Sequence, residues 1–427
     1  MSSKAKATAA KEGTTLALVP KLRFPGFSAL WAHEPLSKVL KEHKLKNTDG
    51  RDVFSVSMEY GIVNQIELLG RSFAAADTSH YTIGRRYDVV YTKSPLKAFP
   101  FGIVKQCKFD GEVALSPLYG VFTPTNPHLG LMIEAYFESP NRSKDFLLPL
   151  CQKGAKNTIQ ITNTTFLSGR LPLPPQPAEQ QKIAECLNSV DELMAAQARK
   201  VDALKTHKKG LMQQLFPREG ETQPRLRFPE FQYAGEWEVR TIGDMFDLIN
   251  GCAFKPEDWK STGTPIIRIQ NLNDPSAEFN YSQAPVPERN RVESGDLLFA
   301  WSGTLGSSFG ARIWNGPSGV LNQHIFKVLM DEKEIALQFA LLVLARVEED
   351  IARRTHGFKA SFVHVKKSDL VKVELLLPSV LEQQRIADCL SSLDDLITAE
   401  TQKLEALKTH KRGLMQQLFP SSEEVAA

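Results

Sequence analysis

Two stretches of the chain carry apolar residues at spacings that alternate between four and three. In the first, Ile183, Leu187, Val190, Met194, Val201, Leu204, Leu211 and Leu215 follow the pattern, with Gln197 and Lys208 at its polar steps. In the second, Ile386, Leu390, Leu393, Ile397, Leu404, Leu407, Leu414 and Leu418 follow it, with Glu400 and Lys411 polar. A seam that keeps this period over about five heptads predicts two long coiled-coil helices. Pro175, Pro177 and Pro378 stand where helices start, and Pro217 and Pro420 where they cannot continue. Each helix spans roughly 55 Å. A stripe that long and one-sided is expected to pack on the other copy. Lys208 and Lys411 either fix register or snorkel from a splayed end, and the pattern leaves both open.

The two helices are copies. Residues 178–217 and 381–420 share 26 of 40 positions at a constant offset of 203. A lead-in motif repeats before each domain: Pro20-Lys21-Leu22-Arg23-Phe24-Pro25-Gly26-Phe27 and Pro224-Arg225-Leu226-Arg227-Phe228-Pro229-Glu230-Phe231, followed by Trp31 and Trp237. Between the shared parts lie two stretches that resemble each other poorly. The expected layout is a polar tail (1–19), a domain (20–177), a helix (178–217), a linker (218–223), a second domain (224–377), a second helical region (378–420) and a tail (421–427). The heptads do not decide helix direction. Cyclic chain order does: an internal pseudo-two-fold axis makes the pair antiparallel and returns Leu418-Phe419-Pro420 to the lead-in at Leu22–Phe27.

The domains read as α+β. Val53–Ser57 and Tyr87–Thr92 are expected strands, and Phe101–Gln106 and Val113–Val121 a hairpin about Asp110-Gly111. Leu129–Phe137 is expected to be helical. In the second domain Pro265–Gln270, Asp296–Trp301 and Val320–Val328 are expected strands and Glu334–Arg354 a helix.

Composition narrows the function. The chain has 427 residues and a net charge of +3, so binding by bulk charge is excluded. The charge is uneven: residues 21–177 hold 19 basic and 13 acidic side chains, residues 225–376 hold 18 and 20. The longest aliphatic run, about Ala340–Ala345, is too short for a membrane span. Five cysteines without a C-x-x-C pair fit a reducing cytoplasm, and no metal-ligand spacing is present. Phosphate-loop, dinucleotide-fold and nucleophile-elbow motifs are absent, as is the Asn/Asp-Pro-Pro-aromatic signature of adenine methyltransferases. Gly303–Ser308 is glycine-rich but reads as a turn after a strand.

These residues resemble the specificity subunit of type I restriction–modification systems. The resemblance rests on the helix openings Pro175–Leu187 and Pro378–Leu390 and on the endings that close with Gly210–Pro217 and Gly413–Pro420. It rests further on Ser294–Phe299 with Ser302-Gly303-Thr304, and on Asn322-Gln323-His324. It implies two target-recognition domains at opposite ends of an antiparallel two-helix coiled coil. Each domain would read half of a bipartite, asymmetric DNA site, with the helices as spacer. The implied partners are double-stranded DNA, two modification subunits and two restriction subunits, without a membrane. The chain would hold no cofactor and do no catalysis. Adenine methylation and ATP-dependent cleavage would lie with partners using S-adenosylmethionine, ATP and Mg2+.

Candidate DNA contacts are groups suited to base edges or phosphates: Arg85, Arg86, Lys93, Lys97, Lys153, Lys156 and Asn157 in domain one. In domain two they are Lys255, Arg268, Gln270, Asn271, Ser302, Thr304, Lys359 and Ser361. The rival readings are a subunit of a methylation-only system, a coiled-coil scaffold without DNA readout, and a fused DNA-acting enzyme. The last needs motifs not found here.

Overall fold

The computed structural model describes residues 18–153, 159–355 and 362–420. The chain divides into two compact units, Met1–Arg199 with Thr401–Ala427, and Lys200–Glu400. Two helices of 39 residues each, Pro177–Leu215 and Val380–Leu418, contribute to both units.

In unit one, a four-stranded sheet runs in the order Leu40–Glu42, Gly120–Pro124, Val89–Thr92, Ile103–Gln106. A second runs Gly61–Asn64, Val53–Ser57, Glu112–Leu115, Thr82–Arg85, with Val53–Ser57 parallel to Glu112–Leu115. Unit two repeats this topology. One sheet runs Asp247–Asn250, Ile325–Leu329, Leu297–Ala300, Gly310–Ile313. The other runs Asn280–Ser282, Thr264–Ile267, Gly319–Leu321, Arg291–Val292, again with one parallel pair, Thr264–Ile267 on Gly319–Leu321. A short ribbon closes each domain, Ala32–Pro35 on Arg170–Leu173 and Glu238–Thr241 on Glu374–Leu377. Stretches that look unrelated as sequences are thus two copies of one fold.

Several expected elements change. Val113–Val121 is two strands, Glu112–Leu115 and Gly120–Pro124, in different sheets, and Pro265–Gln270 gives way after Ile267 to a short helix, Ile269–Asn273. Ile103–Gln106 and Glu112–Leu115 flank the Asp110-Gly111 turn but lie in different sheets. The first pairs back on Val89–Thr92, where Cys107 N–H donates to Asp88 O at 2.7 Å. Val320–Val328 is two strands, interrupted at Asn322–His324 and assigned to different sheets.

The lead-in motif and the helix opening form one buried clasp. Glu179 is fully buried and accepts from Arg23 Nε at 2.7 Å and Nη2 at 2.8 Å, and from Trp31 Nε1 at 3.2 Å. Unit two repeats it: Glu382 accepts from Arg227 Nε and Nη2, both at 2.7 Å. The neighbouring glutamine anchors the chain before the helix. Gln180 Nε2 donates to Pro174 O at 2.8 Å and Gln383 Nε2 to Pro378 O at 3.0 Å. The lead-in also binds the end of the other helix: Leu22 N–H donates to Gln417 O and Leu226 N–H to Gln214 O. Such carbonyls have no partner within their own helix.

Within each unit the two helices run antiparallel. In unit one Ile183 and Leu187 share a core with Trp31, Met132, Met415, Leu418 and Phe419, and Asp191 meets Lys411 at 2.7 Å. In unit two Leu215 and Phe216 share a core with Ile386, Ala387 and Leu390, while Lys208 meets Asp394 at 2.6 Å. The ends of the seam therefore pack into domain cores as well as on each other. Neither seam lysine snorkels. Each reaches an aspartate of the opposite helix, and Asp191 and Asp394 are equivalent positions, so the pairing is made twice and fixes register.

Unit one adds a buried network. Lys105 lies 3.3 Å from Glu134 and 3.0 Å from Glu138, whose other oxygen lies 2.6 Å from Lys411. Burial pushes the Glu138 carboxyl up, but Lys105 and Lys411 outweigh it and hold it below its ordinary value. Among the described residues, no helix is long and apolar enough to cross a membrane.

Two outcomes are expected. Removing one partner of a buried, hydrogen-bonded pair strands the other, so Glu179→Ala and Glu382→Ala should each cost about 3–5 kcal/mol. Urea unfolding measures this, and a loss near zero contradicts it. A carboxylate with a depressed folded pKa stabilises above its unfolded value and loses that contribution as pH falls through the folded one. The advantage of wild type over Glu138→Gln should therefore be full at pH 7 and shrink below about pH 4.5. Unfolding of both proteins between pH 7 and pH 3 measures it.

Candidate nucleic-acid interface

The candidate residues of domain one fall in separate places. Arg85 ends the strand Thr82–Arg85 and its Nε donates to Glu112 at 3.0 Å. Arg86 donates to Asp110 at 3.1 Å and lies over the ring of Tyr87. Tyr87 holds a left-handed backbone, φ 74°, a conformation uncommon for a non-glycine residue. Both ion pairs are exposed, so they are weak and a phosphate can displace the carboxylates. Lys93 and Lys97 are exposed at the other end of the strand Val89–Thr92, about 13 Å of strand away. Lys153 lies on the strand Gln152–Lys153. Lys156, Asn157, Lys359 and Ser361 lie outside the described residues.

In domain two, the candidates Asn271 and Ser302 are buried, and Thr304 opens a turn. Asn271 is fully buried. Its Oδ1 accepts from Arg268 N–H at 3.1 Å and its Nδ2 donates to Ala277 O at 3.1 Å, so it braces a turn and has no free edge. Ser302 is buried in a strand paired with Phe362–His364. Thr304 O accepts from the N–H groups of Ser307, Ser308 and Phe309, which makes the glycine-rich stretch a closed turn. Lys255 is exposed beside Glu257.

Arg268 and Gln270 come together with Asn322, His324 and Ile325 around a cleft of about 190 Å³. The Arg268 guanidinium lies 4.9 Å above the Trp259 ring. Next to the cleft, Trp301 packs between His324 at 5.2 Å and His364 at 4.7 Å. Four buried ring or guanidine nitrogens here have no hydrogen-bond partner: Arg268 Nε, Trp259 Nε1, Trp301 Nε1 and His324 Nδ1. Such groups are costly unless a ligand or water meets them. Sequence reasoning marked Arg268 and Gln270 and quoted Asn322-Gln323-His324, but it missed Trp259, Trp301 and His364. Their only signal was an aromatic or histidine beside a polar turn.

A larger groove of about 940 Å³ in the same unit involves Arg218, Arg346, Arg353 and Lys372, but also Glu219, Glu221, Asp350, Asp369 and Glu374. With acids outnumbering bases it does not suit a polyanion. Among the described residues, no group of three or more His, Cys, Asp or Glu side chains is placed to hold a metal ion.

The family model for the type I restriction modification DNA specificity domain matches residues 234–409. The type I restriction enzyme MjaVIII specificity subunit of Methanocaldococcus jannaschii is 24% identical over 304 residues, 68% of this chain and 70% of its own length. The putative MjaX specificity subunit of the same organism is 25% identical over 305 residues, 69% of this chain and 67% of its own. Among solved structures, the type I restriction–modification S subunit from M. genitalium superposes with a TM-score of 0.55 at 14% identity. That match covers 95% of this chain and all of the other. A chain from a structural study of type I complex assembly and conformational transition gives 0.53 at 15% identity, covering 94% of this chain and 99% of its own. At these identities the structural likeness speaks for the fold alone.

Proposed function

The chain belongs to the family of type I restriction–modification specificity subunits, and from that premise we propose that it chooses the DNA sequence on which a type I complex acts. One observation carries the reading: two domains share a fold but not a surface, and the same arginine–glutamate clasp fixes each to an antiparallel helix pair. Copies of a fold whose surfaces differ suit two unlike half-sites. The helices suit a spacer, because a rod of fixed register sets the distance between two reading heads. The site is then bipartite and asymmetric, with an unread gap.

The chain acts as a non-catalytic subunit in the cytoplasm. Two modification subunits, with S-adenosylmethionine, methylate adenine at the chosen site. Two restriction subunits, with ATP and Mg2+, translocate and cleave. Docking of a partner in two copies is supported by the outer face of the helices. Ser189, Leu193, Ala196, Lys200, Ala203 and His207 form an exposed stripe, and their equivalents Ser392, Leu396, Ala399, Lys403, Ala406 and His410 are identical and exposed. Over the same span the buried seam differs at four positions: Val190/Leu393, Met194/Ile397, Gln197/Glu400 and Val201/Leu404. The stripe is unchanged while the exposed positions beside it differ, among them Arg199/Gln402 and Ala195/Thr398, so the constancy follows one line along the helix, as a contact would. Leu193 and Leu396, 57% and 41% exposed, are its apolar anchors.

Two tests follow from the spacer and the stripe. Adding one heptad at matched points of both helices lengthens them by about 10 Å, or about three base pairs. Co-expressed with a modification subunit, this variant should show a methylome with an altered gap, or no motif, and never an altered half-site. An unchanged gap sinks the spacer. Leu193→Arg or Leu396→Arg should each remove one modification subunit from the complex, and the double variant both, as read by native mass spectrometry. Full occupancy in the double variant rules the stripe out.

A further inference from the structure

The cleft of domain two sets an arginine among amide side chains and not beside a carboxylate. Arg85, Arg86, Arg240, Arg291 and Arg353 each pair with a carboxylate. Among the described residues, Arg268 pairs with none. Its planar group is held instead against the face of Trp259, 4.9 Å away.

Both walls of the cleft are fixed. The Arg268 backbone is tied by the buried Asn271. The opposite wall is tied to the strand before Arg268, since Asn322 N–H donates to Ile267 O at 3.0 Å. Asn322 Oδ1 accepts from Gln323 N–H, and Trp301 N–H donates to His324 O at 3.2 Å. A guanidinium without a carboxylate, oriented by an aromatic face between rigid walls, is preorganised for a planar ligand edge.

The companions of Arg268 decide which edge. Gln270 and Asn322 line the cleft with amide donors and acceptors beside the His324 ring, and Arg268 is its single Arg or Lys. A phosphate grip gathers cations, and domain two as a whole has an acidic excess. Neutral amides and one arginine fork match the edge of a base, and the arginine fork is the commonest partner of guanine O6 and N7. The link of domain one that is topologically equivalent to Asn322–His324, Ser116–Tyr119, carries an exposed leucine, Leu118, and no His.

We propose that Arg268, held on Trp259 beside Gln270 and His324, reads a guanine in the half-site of domain two. This rests on the DNA-reading function above and names the base and the side chain that fixes it.

The test is Arg268→Lys, which keeps the charge and removes the fork, co-expressed with a modification subunit and followed by a methylome. One guanine of the second half-site should become tolerant of other bases, its discrimination falling about 5- to 150-fold. The first half-site should stay unchanged, which shows that the variant is folded. Independently of any variant, 7-deazaguanine at that position should weaken binding of the wild-type complex about tenfold.

An unchanged second half-site together with indifference to 7-deazaguanine overturns the assignment. So does a uniform loss across sequences with the salt slope reduced by about one, which marks a phosphate contact. If Arg268→Lys directs no motif, Arg268→Gln takes its place in the same methylome comparison, with the same outcomes deciding. A wild-type protein that directs no motif at all fails at the earlier step, the DNA-reading function, and the inference falls with it.

Discussion

A carboxylate with no access to water needs a hydrogen-bonded counter-charge, and that requirement organises both halves of this protein. Glu179 and Glu382 each sit at the first turn of a long helix, below the surface, and each is met by the fork of an arginine from the lead-in motif. A buried ion pair is poor evidence of stability, because an apolar replacement is often as good. It is strong evidence of geometry, since only one placement satisfies the fork. The clasp fixes where a domain begins relative to the helix that leaves it. The lead-in amide on the last turn of the other helix fixes the domain relative to that helix as well. Because the clasp occurs twice, each domain can change its outer surface without disturbing its seat.

The helix pair obeys a similar rule. An apolar seam alone tolerates slippage by a heptad, and Val, Leu, Met and Ile exchange freely between the two copies. What slippage would break is the pairing of Lys208 with Asp394 and of Lys411 with Asp191. Unit one strengthens its pairing with Glu138 and Lys105; among the described residues, Lys208 is paired only with Asp394. Register is thus held by charge and affinity by apolar packing, a division that lets the seam vary while the register does not.

The helices, their ends and the repeat were legible because period, proline and internal identity are properties of the sequence itself. The shared topology of the domains was not. Strand order depends on which strands pair at long range, and the Asp110-Gly111 turn shows how a good local hairpin signal loses to pairing of Ile103–Gln106 with Val89–Thr92. The clasp was half legible: Arg23 and Glu179 stood out as repeated residues, but nothing in their spacing of 156 positions shows that they touch. At the candidate interface, residue type misled at Asn271 and Ser302. A side chain able to read a base is equally able to brace a turn, and burial alone tells the two apart. Trp259 and Trp301 were missed for the converse reason: a tryptophan reads as core unless the structure places it beside a polar cleft.

The uneven charge acquires a physical sense from the arrangement of the interface. Domain one has a basic excess, and the carboxylate partners of Arg85 and Arg86 are exposed and easily exchanged. It can contribute to the grip on any DNA sequence, through phosphates. Domain two has an acidic excess, and its candidate site is a recessed cleft with one cation among neutral amides. Such a surface adds little non-specific affinity, so its reading depends on DNA already being held. Phosphate contacts strengthen right and wrong sequences alike, so discrimination has to come from base contacts of the kind a recessed cleft can make. On this division the basic surface of domain one suits attraction and the recessed cleft of domain two suits selectivity.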